Sequence, residues 1–141
     1  MYTLGNKTKR VIVVNESYSI HYKATAGESL KTGDVVKIDT ASKKVVKVTA
    51  ATDEVFGIVI SGCKEKDTMV TLNTQFVAIM EGIADGELAY GDKVAVTGKT
   101  TDGETKYKKA VTGNFVTGIA LGKAADTKGV RVGILRMFNK I

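Results

Sequence analysis

Leu30-Lys31-Thr32-Gly33-Asp34-Val35-Val36 recurs as Leu88-Ala89-Tyr90-Gly91-Asp92-Lys93-Val94. The two copies lie 58 residues apart. Each is followed by a second glycine inside an apolar run, Val55-Phe56-Gly57-Ile58-Val59 and then Val116-Thr117-Gly118-Ile119-Ala120, at a spacing of 61 residues. Two nearly in-phase signals indicate one strand-and-turn unit used twice. Gly33 and Gly91 suit a positive φ, which glycine adopts without strain. Asp34 and Asp92 follow them, where a carboxylate accepts backbone N–H bonds and fixes a turn. All four are read as structural turn residues, with Leu30 and Leu88 as core anchors.

Period-two alternation dominates the rest of the chain and argues for half-buried strands. Residues 35–49 read as a hairpin around the polar stretch Thr40-Ala41-Ser42-Lys43-Lys44. Strands are expected near 11–14, 18–23, 56–61, 69–72, 76–80, 93–96, 107–111, 115–121 and 130–137. Helix is expected only as a turn or two at 50–55 and a single turn at 122–128. With no proline, 15 glycines must supply the turns. The pattern predicts an all-β fold, a small β-sandwich or open barrel with an internal strand-turn repeat. Residues 1–23 are assigned to an N-terminal arm and first strand or strands, and 24–141 to a single β domain.

A chain of 141 residues buries enough surface to fold without a metal or disulfide staple. Cys63 is the single cysteine and reads as a small buried hydrophobe. No apolar run is long enough to cross a bilayer. The net charge of +6 is uneven: residues 1–50 carry +5, 51–98 carry −5 and 99–141 carry +6. Such segregation suits complementary protein surfaces. It does not give the single basic stripe of a nucleic-acid binder.

The chemistry of an enzyme is poorly supported. His21 is the only histidine, so neither a zinc cluster nor a Ser-His-Asp triad is indicated. No phosphate-binding glycine loop opens a helix. Glu81, Asp85, Glu87 and Asp92 form an acidic cluster that could hold calcium, though without the ordered spacing of an EF-hand; a solvated acidic loop is the simpler reading. No catalytic residue, cofactor or metal is assigned. Lys7, Lys9 and Arg10 precede the first apolar run and are the candidate docking residues, as an arm for an acidic surface.

The order of these signals over about residues 24–136 resembles the capsid cement, or head decoration, proteins of tailed bacteriophages. The residues that carry the likeness are Ala26 to Val36, Val55 to Val59, Val77 to Ala84, Leu88 to Val94, Val116 to Leu121 and Val130 to Leu135. The chain departs from the pattern in a longer 62–76 segment and a basic N-terminus. The resemblance implies a β-tulip-like, non-enzymatic structural protein. It would bind the outer surface of a phage head as a homotrimer and stabilise the shell. Its partners would be the major capsid protein and itself, with neither nucleic acid nor membrane involved, and it would be made in the host bacterial cytoplasm. The alternative is a small ligand- or glycan-binding β module, such as part of a head fibre.

Overall fold

The computed structural model describes residues 11–15, 21–74 and 77–135, with side chains for 22–74 and 79–134. All regular structure among these residues is strand: β1 (Val11–Asn15), β2 (His21–Thr25), β3 (Val35–Asp39), β4 (Lys44–Lys47), β5 (Gly57–Ser61), β6 (Met69–Asn73), β7 (Val77–Ala84), β8 (Lys93–Lys99), β9 (Thr105–Lys109), β10 (Gly118–Ala120) and β11 (Gly129–Leu135). The helical turns expected at 50–55 and 122–128 are absent. At the first, Asp53 accepts from the Thr49 and Ala50 amides, each at 3.0 Å, and folds the chain into a side-chain-closed turn instead.

Two sheets form, in the orders β2-β6-β5-β3-β4 and β7-β11-β10-β8-β9, with β1 added to β7. Raising each strand number of the first by five gives the second. The duplication signalled by the turns therefore extends to the whole topology. In the second unit β7 pairs in parallel with β9, Ile83 with Lys106 and Ala84 with Tyr107, and this closes a five-stranded barrel. Closure removes the edges that an open barrel would leave. In the first unit a parallel bridge between Ala26 and Val45 ties the end of β2 to β4, and the Gly27 amide donates to the Val45 carbonyl at 2.8 Å.

The repeated turn has one geometry in both units. Gly33 and Gly91 have φ of 90° and 87°. Their amides donate to the Val59 and Ala120 carbonyls, both at 2.8 Å, which docks each turn on the third strand of its unit. One Asp34 oxygen accepts from the Lys31 amide and one Asp92 oxygen from the Ala89 amide, both at 2.9 Å. Leu30 and Leu88, both buried, are held by paired backbone bonds to Cys63 and Ala124.

Alternation along the strands separates an inner from an outer wall. Inside the first unit lie Leu30, Val36, Val45, Val59, Val70 and Leu72, with Cys63 partly buried beside them. Inside the second lie Met80, Leu88, Val94, Tyr107, Val130 and Val132. Val35, Val48 and Ile58 belong to this second cluster, so residues of the first unit extend the core of the second. The Phe115 amide also donates to the Ala51 carbonyl across the junction at 2.8 Å.

Candidate functional site

The turn carboxylates are engaged by different partners in the two units. One oxygen of Asp34 faces Lys99 of the second unit, at the end of β8, in a close ion pair. The Asp34 side chain is 2% exposed and that of Lys99 16%. The free oxygen of Asp92 instead meets Lys109 of its own unit at 3.2 Å, on the surface. The Ala89 amide bond outweighs desolvation and, with Lys109, holds the Asp92 carboxyl below its ordinary value.

Around the Asp34–Lys99 pair the junction opens into a cleft of about 460 Å³. Glu28, Lys31, Asp34, Lys47, Lys99 and Thr100 contribute to its walls. Lys47 bridges to Glu28 at 3.2 Å and also donates its backbone amide to the same carboxylate at 3.0 Å. Three lysines against two carboxylates leave the lining mildly cationic. Hydroxyls of Ser29, Thr49, Thr100 and Thr101 add donors and acceptors. The described lining contains no histidine or cysteine. Its chemistry is that of a polar contact surface: it can hydrogen-bond polar or anionic groups.

Gly33, Asp34, Gly91 and Asp92 sit at the corners that enter β3 and β8, and only Asp34 reaches the cleft. Lys7, Lys9 and Arg10 lie outside the described residues. The acidic cluster is dispersed. Asp85 accepts from the Thr97 hydroxyl at 2.7 Å, Asp92 is held in its turn, and Glu87 is exposed. Glu81 is buried opposite Arg131, and neither of its oxygens has a hydrogen-bond partner among the described residues. Among the described residues no group of three or more His, Cys, Asp or Glu side chains is placed to hold a metal. Lys99 was not singled out in the sequence. It lies 65 residues from Asp34, at the end of β8 in a polar stretch with no distinguishing neighbour.

No family model and no curated protein matches the chain. Among solved structures, its fold is similar to that of the head fibre gp8.5 N base of bacteriophage phi29. The match covers 87% of this chain and 99% of that one, with a TM-score of 0.54 at 14% sequence identity. At this identity the likeness is one of fold.

Proposed function

We propose that this protein is a non-enzymatic structural component of a tailed-phage head. It attaches to the outer surface of the shell through the major capsid protein, as a homotrimer, and reinforces it. The fold likeness to a head fibre base, spanning nearly all of that chain, is the observation that carries the reading. The resemblance of the turn order to head decoration proteins points the same way. Attachment would be multivalent: several weak contacts per trimer, each raising the effective concentration of the next. The basic arm with Lys7, Lys9 and Arg10 would supply charge attraction to the shell. A second reading, a ligand- or glycan-binding part of a head fibre, is favoured by the polar cleft at the unit junction and by the head fibre likeness itself.

Imaging of purified heads, incubated with and without the protein, tests the proposal. Added density on the outer surface is expected. Heads left bare at saturating protein overturn it, and binding to a glycan panel in place of heads would install the second reading. Replacing Lys7, Lys9 and Arg10 by Ser is expected to weaken attachment and flatten its salt dependence, because exposed charges are screened over about 10 Å at 0.1 M salt. Equal affinity and salt slope for both versions would remove the arm from the docking surface.

A further inference from the structure

The two units are packed so that each leaves one surface unmatched. His21, Asn73, Ile58 and Val35 lie in one row across β2, β6, β5 and β3 of the first unit. Their side of the sheet is the outer wall, since the neighbouring row contains the interior residues Leu72 and Val59. Asn73, Ile58 and Val35 are nonetheless buried, at 4%, 3% and 3% exposed. The second unit covers Ile58 and Val35, which share its cluster with Val96. Val96, paired with Tyr107 at the end of the second barrel, is 3% exposed for the same reason.

The equivalent positions complete a pattern. The matching outer row of the second unit is Ile79, Gly133, Ile119 and Lys93, across β7, β11, β10 and β8. It is less covered than its counterpart: Ile79, Gly133 and Ile119 are only partly buried, and Leu121 beside them is 38% exposed. The match to Val96 in the first unit is Ile38, which pairs with Val45 as Val96 pairs with Tyr107. Ile38 is 46% exposed. Tyr22, the counterpart of buried Met80, is also exposed at this unit, its ring edge-on to Phe56 at 5.7 Å. One chain therefore contains one complete junction, outer wall against barrel end. It also carries the two unused halves of a second.

We infer that copies of this chain associate head to tail, the outer wall of the second unit of one copy covering the Ile38 end of the first unit of the next. The occupant is a second copy because the chain's own junction shows these two surface types packing together, and every copy carries both spare halves. Such an interface is heterologous, so it closes into a ring or extends as a filament. This gives the homotrimer reading a surface to be built from, and rests on that reading only for closure at three.

Gly133 is the natural place to break the wall. Its φ is ordinary, and an added Cβ would meet only the Leu121 side chain at 3.5 Å or more, so a larger side chain fits the isolated chain. Sedimentation velocity of the free protein should show concentration-dependent association. Gly133→Arg and Ile38→Asp, each alone, should sediment as monomers. An equimolar mixture should recover a dimer, because each variant retains the half that the other has lost. A wild-type chain that stays monomeric, a variant that associates like the wild type, or a mixture without rescue overturns the inference. Ile119→Lys and Ile38→Lys replace any variant whose thermal melt shows it unfolded. The experiment contains no heads, so its failure is separate from a failure to bind them.

Discussion

Beside its Ala26–Val45 bridge the first unit carries Ala24 and Val45, whereas beside the Ala84–Tyr107 pair the second carries Gly82 and Tyr107 at the same topological positions. The strand order is unchanged, and the parallel β7–β9 pairing of the second unit is reduced in the first to the single Ala26–Val45 bridge. The filling differs as well. The Tyr107 ring occupies the space a side chain at position 82 would need: a Cβ on Gly82 would lie 2.5 Å from it. The Tyr107 hydroxyl reaches the Met80 sulfur at 3.6 Å. Backbone pairing sets the shape of the unit, and reciprocal changes in side-chain volume adjust its interior.

The largest expected effect separates those two fillings. Tyr107→Ala should cost about 3–5 kcal/mol, as for other buried aromatics cut to alanine. Val45→Ala, its counterpart, should cost about 2 kcal/mol, because fewer atoms leave a smaller cavity. Urea denaturation of both variants checks this, and equal losses would mean the two interiors are not organised as described.

A smaller difference lies in the two turn carboxylates. Lys99→Met leaves the buried Asp34 without its cross-unit cation and should cost about 1–3 kcal/mol. Lys109→Met removes a cation that is 64% exposed and should cost less than Lys99→Met, because an exposed pair is screened by solvent. Melting curves at low and high salt sharpen the contrast: salt should erode the Lys109 contribution and spare most of that of Lys99.

The smallest effect concerns acid. Burial raises the pKa of Asp53, but Lys37 at 2.8 Å and the Thr49 and Ala50 amides outweigh it and hold the group below its ordinary value. A folded pKa below the unfolded one stabilises fully above about pH 4, and this is lost as pH falls through the folded value. At the matching corner of the second unit the acceptor is Asn114, which takes the Val111 amide at 3.1 Å and does not titrate. Asp53→Asn copies that corner and should flatten the acid limb of Tm against pH. An unchanged limb would move the acid sensitivity to other carboxylates.

The parts legible in the sequence were those with local causes. The Gly-Asp turns showed because positive φ and a side-chain-to-amide bond three residues away need particular residues at fixed spacing. The strands showed through alternation, as at β3–β4 and β11. Barrel closure did not show, because Ala84 meeting Tyr107 depends on how far the sheet coils, and no residue type encodes that. The cleft stayed hidden for a similar reason, its central pair joining Asp34 to a lysine 65 residues away. Covered and uncovered outer walls were equally unreadable. Ile58 and Ile119 occupy the same place in the repeat, and only the packing of one unit on the other distinguishes them.

The position of β1 has a mechanical consequence. β1 does not join the unit that follows it in sequence; it pairs antiparallel with β7, and β11 pairs antiparallel with the same strand on its other side. The first and last strands described thus flank one central strand, and the whole first unit is a loop inserted between β1 and β7. Tension applied through β1 and β11 runs across β7 and bypasses the first unit. A pull at those two strands loads the β1–β7 and β7–β11 ladders first, and the first unit takes up the force only once β1 has come away from β7. The junction between the units is sheltered from the force for as long as both ladders hold.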